Sequence, residues 1–473
     1  MSAGREHFSS KLGFILAAAG SAVGIGNLVG FPVAAAKNGG GAFLLIYAIF
    51  VILICLPVMM AEMAVGRHTN KDPLGAYNEL SENDTKWQFA GWLGVITPFM
   101  IAVFYMVVTV WIFGYLYQAA TGNLAELADP NTFGAFINSS TLFVYMLVVV
   151  AITGAILIGG VKQGIERAAK VLMPALFLLL VLLVIYVLTL DNAMSGVSFY
   201  LLPDMSKITG EVISGALSQA FFSLSLGMGI LITYGSYMSK KQDIADSSKL
   251  VALTDTSVAF IAGLMILPAI FSFDPEIDPS TLSDSSVSLI FVLLPKIFLS
   301  LQMDIGYAGA SAVASLFFLL VFFAAITSLV SIIEVPNAAL MEKTKVSRKK
   351  SLLTLAAVMV FLSVLASMSF GMSEPLTKLV HYAGADKSLF DVIYDVFYDT
   401  VLPLNGLFIC LFVMFRWKKA NFNKELTEGL EQGSHKMFLA YSDFALKTFI
   451  PVILAVVFIN TVAIKFFGVH LFF

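Results

Sequence analysis

The sequence predicts an all-α integral membrane protein of about eleven spanning helices, arranged as two inverted five-helix repeats whose first members are broken. Composition, the spacing of apolar runs and the glycines that interrupt two of those runs predict it. Of 473 residues, 59% are hydrophobic and 12% charged, and the mean hydropathy is +0.89. Soluble domains carry about twice that share of charge. A helix needs about 20 apolar residues to cross the hydrocarbon core. Eleven stretches supply them, beginning near Leu12, Ala42, Phe89, Leu142, Ala168, Val212, Ala252, Gly309, Leu352, Leu389 and Phe444. The apolar stretch 286–301 sits between turn-rich, acidic flanks and reads as a re-entrant or capping hairpin on the outer side.

These stretches form one transmembrane domain over 1–473. A first repeat covers about 9–190, a second about 210–417, and an extra helix about 437–468. Basic residues alternate between the loops. Arg5, Lys11, Arg67, Lys71, Lys86, Lys162, Arg167, Lys170, Lys240, Lys241, Lys249 and the clusters at 343–350 and 416–436 fall on one side, 21 of the 28 Lys and Arg. The positive-inside rule places that side, and the N-terminus, in the cytoplasm. Eleven crossings put the C-terminus at Phe473 outside, in the periplasm of a bacterial inner membrane. No cleavable signal is expected, because the first apolar run has full spanning length and no small-residue cleavage site.

The first run is interrupted at Gly20-Ser21-Ala22-Val23-Gly24-Ile25-Gly26-Asn27 and the sixth at Phe222-Ser223-Leu224-Ser225-Leu226-Gly227-Met228-Gly229. Each interior glycine costs a helix about 1 kcal/mol, and an opened turn strands backbone groups in lipid. Glycines can also serve close helix packing. Breaks in the first helix of each half, however, fit inverted repeats around a midplane site.

Other classes are disfavoured. Cys55 and Cys410 lie within apolar runs and read as small core residues. Five histidines are scattered, and no nucleophile–base pair or phosphate loop occurs, so an enzyme is not expected. No basic stripe suggests nucleic acid.

These segments resemble the neurotransmitter:sodium symporter family. Arg5-Glu6-His7, the run 20–27, Phe31-Pro32, Asn38-Gly39-Gly40-Gly41-Ala42-Phe43 and Glu62 with Gly66-Arg67 carry the likeness in the first half. Gly164-Ile165-Glu166-Arg167, 219–229, 234–237 and 322–328 extend it over nearly the whole chain. The chain is most similar to bacterial members related to the leucine transporter, with only about 20 residues between the third and fourth helices. The resemblance implies a leucine-transporter-like fold and sodium-coupled symport of a neutral amino acid by alternating access. It also implies a membrane-lipid environment and allows a homodimer. Two readings stay open beside it: a transport-silent sensor of the same fold, and a proton-coupled carrier of a small carboxylate or sulfonate with Asp255 or Glu62 as proton carrier.

The family pattern implies about two sodium ions. One site takes the Ala22 carbonyl, Asn27, Ser223 and Asp255. The other takes the carbonyls of Gly20, Val23 and Ala324 with the hydroxyls of Thr327 and Ser328. Asp255 stands where many relatives carry asparagine, and Ala259 where chloride-dependent relatives carry serine, so chloride is not expected to be required. Substrate contacts are implied at Ser21, Ala22, Gly24, Gly26, Ile101, Tyr105, Phe222, Ser223, Ser225, Met228, Ser328, Ser331 and Ile332. Monoamine carriers place an aspartate at the Gly24 position, so the solute is expected to bring its own carboxylate. Arg5 and Glu342, assisted by Ser236 and Tyr237, match a cytoplasmic gate. The outer-gate arginine is replaced by Gly30, although Asp391 and Asp395 lie near its usual partner. Phe222 with Tyr105 is the expected remaining lid.

Overall fold

The computed structural model describes residues 6–276, 289–428, 436–469 and 471, apart from the side chain of Glu211. Arg5 therefore lies outside the described residues, as do 286–288 of the expected outer hairpin. Among the described residues nine helices are long and apolar enough to cross a membrane. They are Gly41–Thr69, Thr85–Ala120, Thr141–Ile158, Val161–Val187, Ile244–Phe273, Gln302–Thr344, Arg348–Met368, Leu389–Arg416 and Phe449–Phe467. Lys11–Ala22 and Gly26–Lys37 meet at 57° and together make the first crossing. Gly210–Ser223 and Ile230–Gly235 hold the place of the sixth. With the first bent pair counted as one, the described residues hold ten spans by length and composition, and the two short helices stand where the sequence places one more.

Local chemistry starts several of these helices. Side chains of Ser10, Asp84, Thr209 and Asp243 accept from backbone N–H groups of the first turn, which satisfies donors a helix leaves open. The eighth span begins at Gln302, earlier than its hydropathy suggests, and continues through Gly306 at φ 73°. The described part of the outer stretch is helical, Leu289–Leu293 followed by Leu294–Ser300. It buries Phe291 against Trp111, Tyr115 and Phe133, with Phe291 O accepting from Tyr115 OH at 3.2 Å.

Both breaks open in the middle of the bundle. In the first, Val23 turns extended at ψ 100°. In the second, Ser225, Gly227 and Gly229 take φ of 55°, 77° and 67°. At Gly227 a Cβ would come within 2.5 Å of the Leu402 carbonyl oxygen. Only glycine combines that close approach with a left-handed backbone. Cys55 and Cys410 are buried and unbonded, as read from their neighbours.

Candidate functional site

Opening two helices in an apolar bundle exposes backbone groups that must find partners. Buried polar side chains supply some of them. Gly227 N donates to Glu62 Oε1 at 2.7 Å, Asn405 Nδ2 donates to Gly227 O at 2.8 Å, and Gln219 Nε2 donates to Gly26 O at 3.3 Å. These contacts hold the two breaks open against the second and tenth spans.

Asn27, Ser223 and Asp255 converge as one group. Asn27 Nδ2 donates to Asp255 Oδ1 at 2.7 Å and to Ser223 Oγ at 3.0 Å, and Ser223 Oγ donates to Asp255 Oδ2 at 2.7 Å. Asn27 Oδ1 accepts from Gly24 N at 3.1 Å. Tyr47 OH reaches Asp255 Oδ2 at 3.5 Å, a contact the sequence gave no sign of. Asp255 is fully buried, and no cationic side chain bonds it among the described residues.

The second group joins the first break to the eighth span. Ser328 Oγ lies 3.1 Å from Ser21 O, 3.2 Å from Val23 O and 3.5 Å from Gly20 O. Thr327 Oγ1 lies 3.0 Å from both Phe323 O and Ala324 O. The back-bonding usual for a helical threonine thus coexists with a cluster of oxygens from both helices. A hard cation takes such all-oxygen ligation.

Between the two groups is a small cavity of about 50 Å³. Ser21, Ala22, Gly24 and Gly26 line it from the first break, and Ile101 and Tyr105 from the third span. Phe222, Ser223, Ser225 and Met228 face it from the sixth, and Ser328 and Ile332 from the eighth. Ser331 is placed elsewhere: it donates to Thr327 O and accepts from Tyr234 OH at 2.8 Å. Gln219 and Tyr398 also line the cavity. Nothing local marked either. Tyr105 OH accepts from Ile25 N at 3.3 Å, and a Cβ on Gly24 would stand 2.7 Å from that hydroxyl. The lid differs from expectation. Phe222 stacks on Tyr398 at 4.8 Å, while Tyr105 OH accepts from Ile25 N.

With Arg5 outside the described residues, the contacts of the other gate residues include the following. Tyr237 OH donates to Glu334 Oε1 at 2.8 Å, and Arg348 clasps both Glu334 oxygens at 3.0 and 2.5 Å. Ser236 Oγ donates to Thr233 O. Glu342 stands 3.9 Å from Lys71 and accepts from Asp72 N at 3.4 Å. On the outer side Asp391 is a helix cap, in a reciprocal box with Ser388. Asp395 and Asp399 instead face Lys465 of the last span, at 3.1 and 2.6 Å, and Asp395 lies 3.7 Å from Lys387. Lys465 had gone unnoticed in the sequence, since it lies some seventy residues away.

A bundle opened on paired oxygen clusters, with a small cavity between them, defines a carrier of small solutes. The chain belongs to the Sodium:neurotransmitter symporter family, which it matches over residues 5–135 and 136–468. An uncharacterized sodium-dependent transporter of Bacillus subtilis, YhdH, is 34% identical over 465 residues, 97% of this chain and 98% of the relative. The crystal structure of MhsT in complex with L-phenylalanine superposes with a TM-score of 0.83 at 38% identity, covering 96% of this chain and 99% of that one. A sodium- and chloride-dependent taurine transporter of Bos taurus is 26% identical over 62% of this chain and 54% of its own length. The protein is thus a multi-pass, sodium-using membrane transporter with a leucine-transporter-like fold, and not an enzyme.

Proposed function

We propose that the protein is a sodium-coupled symporter of a neutral amino acid, working by alternating access around the cavity between the first and sixth helices. The observation that carries this reading is Asp255, a buried carboxylate bonded to the cavity-lining Asn27 and Ser223, with no cationic side chain bonding it among the described residues. An intramembrane carboxylate is costly unless a cation compensates it, and a sodium ion held by Asp255, Asn27, Ser223 and the Ala22 carbonyl would do so. Asn27 would then turn its amide oxygen toward the ion. Gly20, Val23, Ala324, Thr327 and Ser328 would hold a second ion. With the negative charge built in, chloride is not needed. The absence of a side chain at Gly24 leaves Tyr105 OH and the open amides of the first break for a solute carboxylate, and the MhsT complex with L-phenylalanine supports an amino acid as that solute. The positive-inside distribution supports a cytoplasmic N-terminus in a bacterial inner membrane.

The outer closure follows from the same geometry. Tyr398 roofs the cavity, and its neighbour Asp399 is tied to Lys465, so Lys465 takes the part that an arginine at position 30 would play. At the cytoplasmic side, Tyr237, Glu334 and Arg348 form the closed network, with Phe8 N donating to Tyr237 O at 3.1 Å.

Binding of labelled amino acids to purified protein, compared in sodium and in potassium, tests this reading. We expect sodium-dependent binding of a neutral amino acid, reduced more than tenfold in Asp255→Ala and unchanged when gluconate replaces chloride. Equal binding in potassium would overturn sodium coupling, and a chloride requirement would overturn the role given to Asp255.

A further inference from the structure

A second cavity, of about 360 Å³, lies between the third, fourth, eighth and ninth spans, away from the central one. Its volume falls in the range of roughly 300–1,000 Å³ typical of small-molecule pockets. Met106, Ile333, Leu352 and Met359 make its wall apolar. Gly154 lies in that wall, and a Cβ there would meet nothing within 4 Å, so this glycine does not serve helix packing.

Two polar features single the cavity out. Thr153 lines it, is 2% exposed, and leaves its hydroxyl without a hydrogen-bond partner. Thr109, Thr233 and Thr254 by contrast each donate to the carbonyl one turn back. A buried hydroxyl with no partner costs about 1–3 kcal/mol, so a ligand acceptor at Thr153 would be favoured. Lys349 lines the other end, exposed, and has no carboxylate within ion-pair distance among the described residues. Its neighbour Arg348 is already committed to Glu334.

We propose that this cavity seats one acyl chain of an anionic phospholipid, with the headgroup phosphate on Lys349 and a glycerol ester carbonyl accepting from Thr153. Thr153 lies five residues inside the end of the fourth span at Ile158, about 8 Å at 1.5 Å per residue, on the hydrocarbon side of the headgroups. Lys349 is the second residue of the ninth span and opens on the side that carries 21 of 28 basic residues. That is the anionic cytoplasmic leaflet. The lipid would brace the contact in which Arg348 Nε donates to Leu157 O at 2.6 Å, and through Arg348 the Glu334–Tyr237 network.

The inference rests on the proposed orientation but not on sodium coupling, so its test stands apart. Purified protein is equilibrated with dioleoylphosphatidylglycerol or dioleoylphosphatidylcholine, and retained lipid is counted by native mass spectrometry. We expect the wild-type chain to retain phosphatidylglycerol in preference. Lys349→Gln should reduce that preference about fivefold, the equivalent of about 1 kcal/mol per basic residue near an anionic surface. Gly154→Phe should lose the bound lipid while keeping sodium-dependent solute binding, which reports that it has folded. Equal retention of the two lipids by the wild type would overturn the proposal, as would an unaltered preference in Lys349→Gln. Unreduced retention in a solute-binding Gly154→Phe would overturn it too.

Discussion

Asn27 Nδ2 and Ser223 Oγ both donate to the Asp255 carboxylate, so each of its oxygens has a neutral partner and neither has a countercharge. Asp255→Asn keeps the shape and removes the charge. In uptake assays we expect that variant to lose most transport in gluconate and to recover part of it in chloride, where the wild type is indifferent. At Gly24 the argument is steric. A methyl group there would lie 2.7 Å from Tyr105 OH and 2.9 Å from Ser328 Oγ, so Gly24→Ala should weaken solute binding by tenfold or more with little change in thermal stability. Residues such as these were legible because their signal is local: a glycine in an apolar run, a carboxylate in a span, the Thr327–Ser328 hydroxyl pair. Tyr398 and Gln219 were not legible, for an aromatic or an amide on a helix says nothing of which break it faces until the tenth and sixth spans are packed.

The two broken helices were readable as elements, because Gly20, Gly24 and Gly26 in one run and Gly227 and Gly229 in the other weaken an intact helix within a few residues of each other. Their fastening was not readable. It depends on Glu62 and Asn405, which reach Gly227 across 165 and 178 residues of chain. Lys465→Met removes the cation that faces Asp395 and Asp399. Lys465 is about a third exposed, so solvent screens part of this attraction, and solute should dissociate a few-fold faster in a washout experiment. Lys465→Arg should restore slow release. The short cytoplasmic helix Lys419–Thr427 offers a test by pH. Glu425 on it binds Arg67 at 2.6 Å, His68 at 2.8 Å and Lys240 at 3.0 Å. Burial acts to raise its carboxyl, but these three partners more than offset that and hold it down to about 2. A depressed carboxyl stabilises the fold above the ordinary carboxylate value near 4.5 and stops doing so as pH falls through about 2. The thermal midpoint should therefore fall between those limits, and Glu425→Ala should flatten that dependence while lowering the midpoint at pH 7.

At the scale of the whole molecule, the helical membrane-spanning fold was legible, since hydropathy is a one-dimensional quantity. The length of the eighth span was less so. Its 43 residues include a non-helical Gly306 at φ 73° and ψ 165°, so the four residues before that kink form a separate outer turn and do not lengthen the span. Coupling has ample drive: a tenfold sodium gradient contributes about 1.4 kcal/mol and 100 mV about 2.3 per charge. Two ions would thus supply about 7 kcal/mol. The paired breaks also carry their own reporter. Amides within an intact span are locked in hydrogen bonds inside hydrocarbon and barely trade protons with solvent, whereas within 23–27 and 224–229 those of Gly24, Ile25 and Gly227 are held only by side chains. Deuterium uptake confined to those two short peptides would therefore register sodium and solute occupancy in an unlabelled, unmutated transporter, one peptide from each half of the chain.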